Sequence, residues 1–329
     1  MLKKLAIEKP SSSDGAKKIN FDMKLLFKLS LPLILLLMWL VITFLEPRFM
    51  SFNNMANLGR QTAIIAIVAI GQTFVIITRG IDLSVGSTLG LSCVVSALLL
   101  VSGVSILATV VLVTLLGMMI GLLNGVLVYD MKITPFIATL GTMTMVRGAT
   151  LMSSEGRIIA GVPSEFTSIS NSTVFGIPYM IFILFLVGVI FMVVLRFTIF
   201  GRNLFAIGSS DEAARLSGVS VRRTTYGAYM ISGALSGVAG ILMTSRLASG
   251  VPTAGQMYEL DAIASAVIGG ASLFGAQGSV IGTVIGSLIM SSLRNAGNLL
   301  GIEPFWLQIA IGALLVIVVF FDQLQKNRG

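Results

Sequence analysis

The most regular feature of the sequence is a series of long apolar runs separated by short polar segments. Two of these runs, Leu31–Leu45 and Tyr179–Leu195, contain no charged residue. With their flanks they approach the roughly 20 residues that an α-helix needs to cross a bilayer. The pattern therefore predicts an all-α polytopic membrane protein.

Ten such runs can be separated along the chain, six before a polar central segment and four after it. We expect each run to form one transmembrane helix, because a helix satisfies its own backbone hydrogen bonds in lipid. Together they would constitute one domain over 25–322, between a polar tail at 1–24 and a short tail at 323–329. The predicted helices cover 25–46, 57–78, 84–102, 104–128, 134–152, 178–199, 227–247, 259–273, 278–296 and 305–322.

The basic residues are concentrated in three segments, and this predicts the orientation of the helices. The formal net charge is +8, and lysine and arginine favour the cytoplasmic side of a membrane protein. An even number of helices between the basic segments then places both termini and the central loop, 200–226, in the cytoplasm. Since topology accounts for the charge, no nucleic-acid partner is expected. The basic clusters are Lys3, Lys4, Lys9, Lys17, Lys18, Lys24 and Lys28; Arg196, Arg202, Arg215, Arg222 and Arg223; and Lys326 and Arg328.

Ten helices suggest two halves of five, 25–152 and 178–322. Because five is odd, the second half would enter the membrane from the opposite side, which gives inverted repeats. Gly117–Gly121 and Gly282–Gly286 have the same spacing, and a Pro-Phe pair follows each of them. Chance glycine spacing in tightly packed membrane helices is the alternative.

Several kinds of chemistry are excluded by what the sequence lacks. It contains no histidine and a single cysteine, Cys93, which excludes histidine catalysis, histidine metal ligands and a disulfide within the chain. The dipeptide Gly-Lys is absent, so there is no Walker A phosphate-binding loop. We therefore do not expect an enzyme, a bound cofactor or a metal site.

A few polar residues lie within or beside the predicted helices. Asp82 would be costly in lipid without a partner, so it is expected either to pair, with Arg79 as the candidate, or to border an aqueous path. Ser84 follows it as a candidate helix cap, and Asn124 and Asn295 lie in apolar runs. The candidates for a substrate pathway are therefore Asp82, Ser84, Asn124 and Asn295. The alternative is that they cap helices or form hydrogen bonds between helices.

Tyr258, Glu259 and Asp261 occupy a predicted outer edge of the membrane domain. Acidic residues in a first helical turn complement the helix dipole, which is one interpretation of this group. The other is contact with a solute or an external partner protein.

The central loop contains a short polar helix within Gly208–Ser220. Ser209 and Glu212 have the spacing of a capping box, and Gly218 provides a C-terminal stop. We expect Ala213 and Leu216 to share an apolar face. A helix of about two turns does not persist alone in water, so it must pack on the membrane domain or on a cytoplasmic partner.

Long segments of the chain resemble the permease subunit of bacterial ABC importers for monosaccharides, with the ribose-importing members as the most similar. The resemblance covers most of the chain after about residue 60. The segments that carry it are "GIDLSVGS" (80–87), "PFIATLG" (135–141), "GRNLFAIGSSDEAARLSGVSV" (201–221), "PTAGQMYELDAIASAVIGGASLFGAQGSVIGTVIG" (252–286) and "NAGNLLGI" (295–302).

The resemblance implies that the central helix is a coupling helix, which docks on a separate ATP-binding subunit that uses ATP and Mg. It further implies a second permease copy, a periplasmic sugar-binding protein that docks on the outer side near Tyr258, Glu259 and Asp261, and a location in the bacterial inner membrane. The residues implied to couple to the ATPase are Ser209, Asp211, Glu212, Ala213, Ala214, Arg215, Leu216, Ser217 and Gly218.

Two other classes of function stay open from the sequence. An ion-coupled secondary transporter would use Asp82 as its ion site, and a membrane scaffold would not transport at all. Within the importer class, another pentose or hexose, or autoinducer-2, is the alternative to ribose.

Overall fold

The computed structural model describes residues 23–326 of the chain, so the predicted tails fall largely outside the described residues. Thirteen α-helices make up almost all of the regular structure in that range. A 3-10 turn follows the first helix, and a two-residue hairpin pairs Thr173–Val174 with Ile177–Pro178. The helices are α1 (Met23–Leu45), α2 (Phe52–Ile77), α3 (Val85–Val101), α4 (Ile106–Tyr129), α5 (Pro135–Ser154), α6 (Ser164–Asn171), α7 (Tyr179–Phe197), α8 (Ile199–Ser209), α9 (Asp211–Leu216), α10 (Val221–Leu247), α11 (Tyr258–Ile268), α12 (Val280–Leu299) and α13 (Pro304–Lys326).

The predicted all-α membrane fold is confirmed. Each of the ten predicted spans coincides with one of α1–α5, α7 and α10–α13, whose ends fall within a few residues of the expected ones. Among the described residues, α2, α4, α7 and α10 are long and apolar enough to cross a membrane. Shorter apolar stretches occur in α1, α3 and α13.

One detail of the prediction is wrong. The eighth span, expected over 259–273, is the helix α11 of 11 residues, which is only about 16 Å long and cannot cross a bilayer by itself. An irregular segment, 269–279, continues the chain to α12. The helix α13 continues through Lys326, four residues past the expected end of the last span, and the tail at 323–329 stays a prediction.

Local sequence explains where several helices begin. Side-chain oxygens of serine or threonine accept a hydrogen bond from the first turn and so satisfy a backbone N–H that has no partner within the helix. The residues that cap helices in this way are Ser51 for α2, Ser105 for α4, Thr198 for α8, Ser210 for α9 and Ser279 for α12.

Glycines allow the central helices to approach at backbone distance. A Cβ atom at Gly121 of α4 would lie 2.0 Å from the Tyr229 carbonyl oxygen of α10. A Cβ atom at Gly286 of α12 would lie 2.1 Å from the Ser265 carbonyl oxygen of α11. The glycine repeats of the sequence therefore serve close helix packing, as small residues do in membrane proteins.

The helices pack in matching pairs around α2 and α10. The helix α10 packs against α3 and α4, and the helix α2 packs against α11 and α12. This exchange of partners agrees with repeats in which α2–α5 correspond to α10–α13. The boundaries of the repeats stay a prediction.

In contrast to the buried α2, the apolar helix α7 keeps most of its surface outside the bundle, as a lipid-facing helix does.

Candidate functional site

The predicted coupling helix is α9, a helix of six residues that directly follows α8. Its cap is Ser210, whose Oγ accepts a hydrogen bond from the Ala213 backbone N–H at 3.2 Å. The predicted capping box that starts at Ser209 is therefore wrong by one residue, because Ser209 is the last residue of α8. Gly218, with φ of +81°, ends the helix in the left-handed conformation, as predicted.

The surface of α9 is divided between one buried residue and several exposed ones. Ala214 is only 4% exposed and faces the protein, whereas Leu216 is 78% exposed. Ala213 and Leu216, which were expected to share an apolar face, are both exposed, so that face does not pack on the membrane domain. Exposed polar and charged side chains surround Leu216, namely Asp211, Glu212, Arg215 and Ser217. The exposed surface of α9 therefore combines one large apolar side chain with polar and charged ones.

The candidate pair of Arg79 with Asp82 does not form in the structure. Its guanidinium group instead donates hydrogen bonds to backbone carbonyls at the end of α8, Gly208 and Ser209, and to that of Phe274. The end of α8, which leads into α9, is thus attached to Arg79, two residues after the end of α2.

Asp82 lies in a fully buried polar cluster. Its Oδ1 accepts hydrogen bonds from the backbone N–H of Ser84 at 3.0 Å, from the Ser84 hydroxyl at 2.6 Å and from the Asn124 amide at 3.3 Å. Its Oδ2 accepts a hydrogen bond from the Ser232 hydroxyl at 2.9 Å. With its amide oriented to match, Gln72 donates to and accepts from the Asp82 backbone at 3.1 Å.

This cluster joins four parts of the fold: α2, the break 78–84, α4 and α10. Three of the four predicted pathway residues, Asp82, Ser84 and Asn124, therefore come together. Sequence reasoning missed Gln72 and Ser232, although a glutamine in the middle of an apolar run was a visible signal. The contacts support the helix-joining interpretation of these residues, because the carboxylate of Asp82 is occupied by neutral protein donors.

Asn295, the fourth predicted pathway residue, lies in a separate contact. Its amide exchanges two hydrogen bonds of 2.9 Å with the amide of Asn54, which ties α12 to the beginning of α2. Near this pair the Trp39 indole donates to the Ser292 hydroxyl at 2.9 Å and holds α1 on α12.

The acidic group at the start of α11 is more buried than expected. Asp261 is fully buried and forms an ion pair with Arg294 of α12 at 2.8 Å, so its side chain is not on the surface. Tyr258 and Glu259 are half-buried. The Oε2 atom of Glu259 is buried and has no hydrogen-bond partner among the described residues. The expected surface position is therefore wrong for Asp261.

A cavity of about 700 Å³ lies between α9 and the ends of α2, α4 and α10. Charged side chains on one side, Arg79, Asp211, Glu212 and Arg215, face the buried ring of Tyr229 on the other. Among the described residues, no cluster of three or more His, Cys, Asp or Glu side chains could hold a metal ion.

Beside this cavity, Asp130 connects the end of α4 to the beginning of α10. Its Oδ2 accepts hydrogen bonds from the Tyr226 hydroxyl and, at 3.0 Å, from Arg222. The hydrogen bond from Tyr226 and then the Arg222 charge hold the pKa of the Asp130 carboxyl below its usual value.

Comparison with known proteins gives consistent matches over nearly the whole chain. The chain is 42% identical to the ribose import permease protein RbsC of Bacillus subtilis over 93% of this chain and 96% of that protein. It is 41% identical to the Haemophilus influenzae RbsC over 88% of this chain and 90% of that protein. It is 35% identical to the galactose/methyl galactoside import permease protein MglC of Escherichia coli over 90% and 94% of the two chains.

No solved structure matches the chain. Residues 54–319 match the family described as branched-chain amino acid transport system / permease component. Since that match covers well over half of its length, the chain belongs to this family of transport permeases.

Proposed function

We propose that this chain is the membrane-spanning permease subunit of an ATP-binding-cassette importer that carries a monosaccharide, ribose, across the bacterial inner membrane. The relatives with the highest identity described above are ribose import permeases, and the match spans both chains almost completely. The galactose/methyl galactoside permease is also similar, so hexoses are the alternative substrate.

The structural observation that carries the proposal is the surface of α9. This helix is capped at both ends, presents an exposed Leu216 among charges, and is attached through Arg79 to the core of the bundle. A short rigid helix of this kind suits docking in a groove of a separate ATP-binding subunit. That subunit would bind ATP and Mg and hydrolyse the nucleotide, and this chain would bind neither.

The proposal includes three further partners and an orientation. A second copy of this chain would form the other half of the sugar path, lipid would surround α7 and other apolar surfaces, and a periplasmic binding protein would deliver the sugar. Both termini and α9 would lie in the cytoplasm, in agreement with the basic residues of the central loop.

The test is sugar uptake by vesicles that contain this chain, the ATP-binding subunit and the binding protein. We expect uptake of radiolabelled ribose that requires ATP on the side of the membrane where the ATP-binding subunit lies. Excess unlabelled ribose should suppress this uptake more than excess galactose does. Uptake without the ATP-binding subunit, abolished by an ionophore, would instead indicate an ion-coupled transporter. ATP-dependent uptake that prefers galactose would support the importer class and would show that the substrate is galactose rather than ribose.

Variants of α9 test the docking step. Leu216→Asp places a charge in the proposed contact with the ATP-binding subunit, and Arg215→Glu reverses the charge of a neighbouring side chain. Both variants should weaken binding of that subunit and reduce uptake. Leu247→Asn, at another exposed leucine outside α9, is the matched control. Normal uptake and normal co-purification of the ATPase with both α9 variants would contradict the coupling role.

A further inference from the structure

Three segments of the chain meet at backbone distance next to α9: the end of α2, the end of α8 and the irregular segment 269–279. The Ala276 backbone N–H donates a hydrogen bond of 3.0 Å to the Ile77 carbonyl oxygen. A Cβ atom at Gly208 would lie 1.9 Å from that same oxygen and 2.5 Å from the Ala276 nitrogen. Position 208 therefore has to be glycine for this junction to form.

Arg79 connects the three segments with a single side chain. Its Nε donates hydrogen bonds to the carbonyl oxygens of Gly208 at 2.8 Å and Phe274 at 3.0 Å, and its Nη2 donates to that of Ser209. The Gly208 and Ser209 carbonyls belong to the last turn of α8, where carbonyls lack partners within the helix and attract a cation.

The backbone at Arg79 is unusual and directs this side chain. Its φ is +64°, a left-handed conformation that residues with a side chain adopt uncommonly. Gly275 leaves the space for the arginine stem, because a Cβ atom there would lie 2.5 Å from the Arg79 Cγ. Gly208, Gly275 and the left-handed Arg79 therefore all contribute to the junction between α2, α8 and the segment 269–279.

The position of this junction determines what it can transmit. The helix α9 begins two residues after Ser209, and the buried helix α2 ends two residues before Arg79. The break 78–84 leads from Arg79 to the polar cluster of Asp82, and the segment 269–279 joins α11 to α12. A displacement of α9 therefore reaches elements in both halves of the bundle through one set of hydrogen bonds.

From this geometry we infer that Arg79 is the positioning residue that transmits movement of α9 to the membrane helices. The inference rests on the proposed function, because it requires α9 to be moved by an ATPase. Arginine suits this role since its planar group donates to several carbonyls at fixed angles, which a lysine ammonium does not reproduce.

The experiment compares Arg79→Gln and Arg79→Lys in vesicles that hold the complete importer. We expect Arg79→Gln to bind the ATP-binding subunit and hydrolyse ATP within about twofold of the unmodified complex. The amount of sugar carried per ATP should fall about tenfold or more, in the range of measured coupling energies. The amount of sugar that Arg79→Lys carries per ATP should lie between that of Arg79→Gln and that of the unmodified complex.

Arg223→Gln is the matched control. Arg223 is an exposed arginine of α10 whose side chain has no hydrogen bond or ion pair within the part of the chain that the structure describes. It lies at the same end of the bundle as Arg79, and its loss should leave the sugar carried per ATP unchanged.

A distance measurement separates transmission from mere folding support. Spin labels at Ser220→Cys, four residues after α9, and Ser153→Cys, at the far end of α5, report on the two ends of the pathway across the pair of permeases. Both sites are exposed, whereas the native Cys93 is buried. ATP should shift both distances in the complex with unmodified Arg79 and only the Ser220→Cys distance in Arg79→Gln.

The inference is overturned if Arg79→Gln carries the normal amount of sugar per ATP, or if the Ser153→Cys distance still shifts. It is also overturned if Arg79→Gln fails to assemble with the ATP-binding subunit, since the residue would then be part of the scaffold. The proposed function fails separately, when the unmodified complex shows no ATP-dependent uptake.

Discussion

Two buried aspartates, Asp82 and Asp261, occupy comparable places in the two halves of the bundle. Asp82 precedes α3 and Asp261 lies in the first turn of α11, and these helices have matching packing partners. Asp82 is surrounded by neutral donors on both oxygens. Asp261 relies on one cation, Arg294, and its Oδ2 has no partner among the described residues.

The comparison shows that one structural problem, a carboxylate in an apolar bundle, has two different solutions. Hydrogen bonds from fixed hydroxyl and amide groups hold Asp82 to α4 and α10 in one arrangement. Around Asp261, the buried polar atoms without partners also include Ser265 Oγ, Ser291 Oγ and Arg294 Nε. Among the residues bonded to Asp82, one described atom, Asn124 Oδ1, also lacks a partner. Because unpaired buried polar groups are costly and the second region has more of them, it is less firmly determined than the first.

The largest effect is expected from Asp82→Ala. This change leaves four hydrogen-bond donors without their acceptor, and each bond to a charged group contributes about 1.5–3 kcal/mol, so we expect a loss of at least about 4 kcal/mol of stability. The measurement is the temperature at which the detergent-solubilised protein loses its monodisperse elution profile.

Asp82→Asn is the control for that prediction, because the amide keeps one acceptor oxygen and the same shape. It should lose clearly less stability than the alanine variant. Equal stability of Asp82→Ala and the unmodified chain would show that the cluster does not hold the helices together.

A smaller loss is expected when the ion pair of the second region is broken. Arg294→Met leaves Asp261 as a buried charge without its cation, which costs about 3–5 kcal/mol in well-buried pairs. The Arg294 side chain is 24% exposed, so the value should lie at the lower end of that range. Adding Asp261→Asn should restore part of the loss in the same thermal assay, and a double variant as unstable as the single one would argue against the pair.

The smallest effects distinguish the two regions most directly. Ser232→Ala removes a donor to Asp82 and should cost about 1.5 kcal/mol or more, since the acceptor is charged. Ser265→Ala removes a hydroxyl that has no partner within the described range and should cost less than about 0.5 kcal/mol. The same melting assay compares them, and a larger cost for Ser265→Ala would reverse our ranking of the two regions.

Much of the fold was predictable because apolar runs of about 20 residues report directly on membrane helices. The helix α11 was misjudged because small and apolar residues continue past its end into 269–273, where hydropathy alone does not show that the helix stops. Long-range contacts were not predictable in the same way. The partner of Asp261 is 33 positions away on another helix, and no local pattern identifies it.

The α9 site was predictable in outline and wrong in detail. Acidic residues, a nearby serine and Gly218 indicated a short capped helix, but two adjacent serines left the cap uncertain by one position. Which side of so short a helix is buried depends on its neighbours, so the exposure of Leu216 required the fold. Arg79 was one candidate partner for Asp82, but the backbone at Arg79 is left-handed and its side chain bonds to the end of α8 instead.

The short length of α11 has a consequence for the path of the chain between α11 and α12. Because the helix stops at Ile268, the chain covers the remaining distance to Val280 with turns in which Gly270, Gly275 and Ala276 have positive φ. These turns bring α12 back along α11, where a Cβ atom at Gly269 would lie 2.4 Å from the Gly282 carbonyl carbon. An uninterrupted helix would hold these two glycines about 20 Å apart, so the early end of α11 allows the two helices to pack on each other.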